Sequence, residues 1–169
     1  GGAHRNELFN LLNHLEKNDF IQKTILLTGV QNYPTTIESH SLNEITDLIE
    51  KYSHYGVKFG FSDHISGDKM ESMIIPFMAL AKGASFIEKH YTINREDKWI
   101  DYESALDKND FSRFIQNIHS LSPCLKEFGP FSTSEKEYRQ LFKKTIFSKR
   151  PIPKNQIVTQ KDITFKKDS

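Results

Sequence analysis

Phe61-Ser62-Asp63-His64 and Ile87-Glu88-Lys89-His90 decide how this chain is read. Each string closes a short apolar run that reads as a buried strand, and each sets a His where the strand meets its loop. One helix-sized segment lies between them. Strands joined in that way are parallel neighbours with a right-handed crossover, so both imidazoles emerge at the C-terminal edge of one sheet. Parallel α/β sheets and barrels bind ligands at that edge.

Side chains alternate across a strand. Val57, Phe59 and Phe61 therefore share one face, and Lys58, Gly60, Ser62 and His64 share the other. In the next strand Phe86, Glu88 and His90 share a face. Parity brings Ser62, His64, Glu88 and His90 into one cavity. Two imidazoles there can share one divalent ion, and their side chains should approach within about 4–5 Å. With no further sulfur or nitrogen donor nearby the site is open, which suits Mn²⁺ or Mg²⁺ in Lewis-acid work better than structural Zn²⁺. Glu88 is placed to orient a water or to act as a base. The simpler alternative is that both His residues merely finish strands and bond to loops. Asp63 either orients His64 from behind or caps the following helix.

Working outward, the pattern alternates helix and strand. Leu8, Leu11, Leu12 and Leu15 mark a helix over Arg5–Asn18, and Thr24–Val30 reads as a strand. Ser41 and Glu44 have capping-box spacing ahead of the Ile45/Leu48/Ile49 stripe. Val57–Ser62 is the second strand. Asp68–Lys82 is a helix whose Met-rich face reads as core, with Pro76 predicting a kink or a later start. Ala84–Lys89 is the third strand. Asn109–Phe128 is the last helix of this part, interrupted by Pro123. Gly129–Thr133 reads as a linker, Ser134–Lys144 as a short helix, and Thr145–Lys149 and Ile163–Lys166 as β-prone segments of a second small unit. The divisions are 1–128, 129–144 and 145–169. Ile146, Phe147, Ile157 and Ile163 should be less buried than Phe59, Phe61, Ile74 and Ile87.

The 169 residues suffice for one ordinary domain, and 23 basic against 22 acidic side chains give a formal charge of +1. That balance argues for neither nucleic acid nor a membrane surface. No apolar run approaches the roughly 18–20 residues of a membrane span, and none reads as a signal peptide. Cys124 stands alone, so no intrachain disulfide forms and a reducing cytoplasm is the default. The opening Gly1-Gly2 and the closing Lys166–Ser169 read as cut ends of a longer enzyme. Asp101 and Glu103, beside Trp99 and Tyr102, suit a hydroxyl-rich ligand; a solvated loop with Asp107 capping the next helix is the plainer reading. Cys124 and the remaining histidines (His4, His14, His40, His54, His119) read as structural or surface residues.

The ordered strings resemble the sialic acid synthases, the N-acetylneuraminate synthase family that includes legionaminic and pseudaminic acid synthases. They are Asn32-Tyr33-Pro34-Thr35, Phe61–His64, Ala81-Lys82-Gly83-Ala84, Ile87–Thr92, the Asp101–Leu106 loop and Ser134-Glu135-Lys136. Pro153–Thr159 is similar to the start of that family's antifreeze-like (SAF) domain. The resemblance implies the last three strands of a (β/α)8 barrel followed by a truncated SAF domain, in a domain-swapped homodimer. It implies condensation of phosphoenolpyruvate with an open-chain N-acylated hexose, giving a nine-carbon 2-keto acid and phosphate. By motif match His64 and His90 are the Mn²⁺ or Mg²⁺ ligands, Glu88 and Asp101 the catalytic residues, and Ser62, Gln31, Tyr33 and Asp101 the substrate-binding ones. Gln31 stands where many members carry Ser or Asn, and Trp99–Glu103 replaces their Gly-Pro-Asp-His, so the sugar stays open. A metal-dependent pyruvate aldolase-type barrel and a non-catalytic sugar-binding module are the alternatives.

Overall fold

The computed structural model describes residues 2–127 and 129–167. Gly1, Phe128, Asp168 and Ser169 lie outside that description, and with them the expected Gly1-Gly2 turn, the helix end at Phe128 and the last two residues of the chain. The chain divides into two compact units, Gly1–Lys126 and Glu127–Ser169.

In the first unit, α1 (Arg5–Lys17), β1 (Ile25–Thr28), α2 (Asn43–Tyr52), β2 (Lys58–Asp63), α3 (Glu71–Ala81), β3 (Phe86–Lys89) and α4 (Lys108–Leu121) follow one another. The strands form a parallel sheet in the order β1-β2-β3. Leu26 lies beside Phe59, Ser62 beside Glu88, and Asp63 beside Lys89. Phe59, Phe61 and Leu26 face the helices. Phe59 joins Leu12 of α1 and Leu48 and Tyr52 of α2 in one cluster. Phe61 joins Ile45 and Ala79 in a second. Burying such side chains contributes about 1.5–3 kcal/mol each. Among the described residues of this unit no helix covers the other sheet face, and Ile25, Leu27 and Phe86 are exposed on it. Gly60 fits between the latter two, since a Cβ there would lie 2.5 Å from the Leu27 side chain.

Several expectations are corrected. Ser41 does not cap α2: Leu42 is already in the right-handed helical region, the Ser41 carbonyl accepts from Glu44 N–H at 3.0 Å, and Glu44 turns toward Arg5 at 3.7 Å. α3 starts at Glu71 because Gly67 N–H donates to the Glu103 carbonyl at 2.7 Å, and Ser66 and Asp68 bond to each other, holding that stretch as a turn. Pro76 lies inside the helix. Met70, Ile74 and Met78 are exposed rather than core, because the helix turns that stripe away from the sheet. The expected burial ranking therefore fails at Ile74. Asp107 does cap α4, accepting from Asn109 and Asp110 N–H at 2.8 and 2.9 Å, a feature that typically contributes ~1 kcal/mol. Pro123 falls in the 3-10 turn Ser122–Leu125 that closes this segment.

The second unit holds α5 (Thr133–Phe142) and an antiparallel hairpin of β4 (Lys144–Ser148) and β5 (Ile163–Lys167). A capping box of Ser132 and Glu135 starts α5. Lys167 lies over the Phe142 ring at 5.0 Å, and α5 falls in the same compact unit as the hairpin. Asp162 is the buried polar centre of this unit. It accepts from Thr159 N–H and hydroxyl at 2.9 and 2.7 Å and from Arg150 Nε at 2.9 Å. Ile146 and Ile157 are 59% and 84% exposed, against 6% and 2% for Phe59 and Phe61.

Candidate active site

His64 leaves the end of β2 and is 1% exposed as a residue. Its Nδ1 lies 2.7 Å from the Val30 carbonyl, and its Nε2 lies 3.1 Å from Ser62 Oγ. A carbonyl can only accept, so Nδ1 carries a proton and Nε2 of the neutral ring presents a lone pair. Ser62 Oγ also lies 2.6 Å from Glu88 Oε1. Its single proton cannot serve a carboxylate and an imidazole lone pair together. Given to Glu88, it leaves Nε2 facing oxygen lone pairs, an arrangement that a cation or a second proton relieves.

His90 follows β3, and its ring centroid lies 5.2 Å from that of His64 at an angle of 71°. The Tyr33 ring covers both imidazoles, at 4.3 Å from His64 and 5.3 Å from His90. Tyr33 donates its hydroxyl to Gln31 Oε1 at 2.6 Å. Asp101 Oδ2 stands 3.9 Å from His90 Nδ1. The backbone at Asp101 is left-handed, with φ 59°, a conformation Asp tolerates better than most residues. The structure thus gathers Ser62, His64, Glu88, His90, Tyr33, Gln31 and Asp101 in one place. Trp99 is 69% exposed and stands in solvent, and the Glu103 carbonyl is used to hold Gly67.

Asp63 does not orient His64. It is fully buried on the helix-covered face, where Oδ2 meets Lys89 Nζ at 2.5 Å and Oδ1 accepts from Ile65 N–H at 3.0 Å. Burial pushes the Lys89 ammonium below its ordinary range, and the Asp63 carboxylate opposes that shift. His40, half-buried against Phe61, is likewise pushed down by burial. The Val30 carbonyl is what orients His64, the role a backbone acceptor commonly plays behind a metal-bound imidazole.

Three further residues escaped the sequence reading. Thr35 N–H and Ser104 Oγ both donate to the His64 carbonyl at 2.8 Å, and Leu106 N–H donates to the His90 carbonyl at 3.0 Å. The 92–106 loop is thereby tied to the backbone of both histidines. Ser104, fully buried, offered no signal beyond its place in the Asp101–Leu106 string.

Two imidazoles lie in phase, one with its Nδ1 fixed by a carbonyl, and a carboxylate and a hydroxyl lie beside them; imidazole nitrogen and carboxylate oxygen are donor types that divalent transition ions accept. Among the described residues no group of three or more His, Cys, Asp or Glu side chains is arranged to hold a metal ion, so a shared ion would rest on the two imidazoles. No helix of the described residues is long and apolar enough to cross a membrane.

A parallel α/β sheet with a paired-histidine polar site at its C-terminal edge defines the class of protein. The chain belongs to the NeuB family, whose model matches residues 1–128. It is 32% identical over 139 residues to a pseudaminic acid synthase of Helicobacter pylori, covering 82% of this chain and 38% of that protein. It is 26% identical over 141 residues to an N,N'-diacetyllegionaminic acid synthase of Legionella pneumophila, covering 82% of this chain and 37% of that one. Its fold is similar to an N-acetylneuraminic acid (sialic acid) synthetase of Leptospira borgpetersenii solved with citrate, with TM-score 0.71 and 29% identity over 82% of this chain and 47% of that chain. The chain therefore spans less than half the length of these relatives.

Proposed function

We propose that this chain is the C-terminal barrel part, with the start of an SAF domain, of a metal-dependent synthase that condenses phosphoenolpyruvate with an N-acylated hexose. The product is a sialic-type nonulosonic acid, and phosphate leaves. The observation that carries this reading is the in-phase pair of imidazoles with Ser62 bridging His64 to Glu88. Membership of the NeuB family and the names of the relatives support the same reaction class. The reading extends to a cytoplasmic enzyme that works as a domain-swapped homodimer, its SAF domain reaching the partner's site.

His64 and His90 would hold Mn²⁺ or Mg²⁺, which supplies Lewis-acid polarisation toward a carbonyl oxygen. The chain's own residues do the rest. Val30 fixes the ring of His64 so that Nε2 faces the site. Ser62 donates its hydroxyl to Glu88 Oε1 at 2.6 Å and holds the carboxylate in place, so the ionised Glu88 can take a proton from a reacting water. Tyr33 covers both rings and excludes solvent from one side, and Gln31 fixes its hydroxyl. Asp101, beside His90, accepts hydrogen bonds from sugar hydroxyls.

The test is phosphate release by the complete enzyme. Release is expected only with phosphoenolpyruvate and an N-acyl hexose such as N-acetylmannosamine together, is expected to stop on chelation, and to return with Mn²⁺. Turnover of pyruvate in place of phosphoenolpyruvate would move the assignment to an aldolase. Binding of sugar without any turnover would make the chain part of a binding module.

A further inference from the structure

The ion pair behind the site has no part in the chemistry above. Asp63 and Lys89 immediately precede His64 and His90, and they are register partners across β2 and β3. Their side chains are 0% and 2% exposed, and they meet at 2.5 Å. The second Asp63 oxygen accepts from Ile65 N–H at 3.0 Å, so one carboxylate ties the end of β3 to the turn just past His64.

A buried pair of this kind is poor support for stability, because removing two charges from water offsets most of their attraction, and apolar side chains of equal volume often serve as well. What apolar packing lacks is a short contact of fixed length and direction. Two side-chain links cross between these strand ends, one on each face. Ser62–Glu88 lies on the face where substrate would enter. Asp63–Lys89 lies on the dry face, one residue closer to the imidazoles. Because the pleat alternates, a fixed separation between residues 63 and 89 sets the separation of residues 64 and 90 on the opposite face.

We propose that Asp63 and Lys89 form a positioning clasp that sets the spacing and mutual angle of the His64 and His90 imidazoles for a shared divalent cation. The proposal rests on the metal reading of the site. The clasp touches no substrate and acts only through the two strand ends.

The experiment measures Mn²⁺ affinity, from the electron paramagnetic resonance of free Mn²⁺, together with the melting temperature of the complete enzyme. The comparison is parent, His90→Ala, the apolar pair Asp63→Leu/Lys89→Met, and the neutral hydrogen-bonding pair Asp63→Asn/Lys89→Gln. The apolar pair is expected to melt within a few degrees of the parent yet bind Mn²⁺ about 10–100-fold more weakly, the loss typical when a supporting partner of a metal ligand is removed. The Asn/Gln pair, which keeps an N–H to oxygen link, is expected to recover most of that loss. Parental affinity in a stably folded apolar pair overturns the clasp. If the apolar pair does not fold, Asp63→Glu decides: it keeps both charges and lengthens the link, so weakened Mn²⁺ binding supports the clasp and parental binding overturns it. A parent that binds Mn²⁺ and loses it in His90→Ala keeps the metal reading whatever the clasp variants do. A parent that binds none overturns the metal reading and the clasp with it.

Discussion

At the scale of single residues, Val30 fixes His64, Ser62 bridges His64 to Glu88, and Gln31 takes the Tyr33 hydroxyl. Asp101 stands at the open side of His90, and its left-handed backbone aims it there without help from a helix or strand. On the proposed reaction, Asp101→Asn in the complete enzyme should raise KM for the sugar while leaving that for phosphoenolpyruvate nearly unchanged. Loss of a charged hydrogen bond typically costs about 1.5–3 kcal/mol, roughly 10–150-fold. Steady-state kinetics with each substrate varied in turn checks this, and an equal loss for both would leave Asp101 as a loop-shaping residue only. Ser62, His64, Glu88 and His90 were legible in the sequence because alternation along a strand is a strict geometric rule. The same rule puts Asp63 with Phe61 and Lys89, away from His64, and applied to that residue it excludes the orienting role. Val30 and Ser104 were not legible. A backbone carbonyl carries no sequence signature, and the Ser104 hydroxyl finds its acceptor only after the 92–106 loop has folded back over β2.

At the scale of elements, local chemistry succeeded where the partner is adjacent in sequence and failed where it is distant. Asp107 caps α4 and Pro123 ends it, both decided within a turn of chain. Ser41 has the right spacing but makes no cap, since Leu42 already holds helical angles at the N-cap place and Glu44 turns to Arg5, far away in sequence. The start of α3 is set by Gly67, whose missing side chain admits the loop: a Cβ there would lie 2.1 Å from the Ala105 carbonyl oxygen. In the second unit, Asp162 links β5 to the turn before it and to Arg150. Hydrogen bonds from Thr159 first, and then from Arg150, lower its carboxyl from an ordinary 3.8 to about 2. The folded-state value is the lower one, so the carboxylate's stabilisation is full above about pH 4 and is lost as pH falls through about 2. Between those limits the backbone amide protons of β4 and β5 should lose exchange protection, and Asp162→Asn should show the weaker protection already at pH 7. Protection in the variant that matches the parent at pH 7 would show that the carboxylate charge contributes nothing to the hairpin.

At the scale of the whole molecule, the described residues of the first unit cover its sheet with helices on one side only. Leu26, Phe59 and Phe61 are closed under α1, α2 and α3, while Ile25, Leu27 and Phe86 line a bare face. β1 and β3 are both edge strands among the described residues. The proposed barrel accounts for that asymmetry, since the bare face would turn inward and the edges would find neighbours. The parallel order was legible from the alternation of strand and helix. The exposure of Ile74 and Met78 was not, because composition marks a stripe as apolar without saying which body covers it. The central claim, that His64 and His90 hold one ion between them, is tested most directly by pulsed electron paramagnetic resonance of Mn²⁺ bound to the complete enzyme with ¹⁵N-labelled histidine. Couplings from two imidazole nitrogens are predicted in the parent and from one in His90→Ala. Bound Mn²⁺ with no histidine nitrogen coupling in the parent would contradict the account.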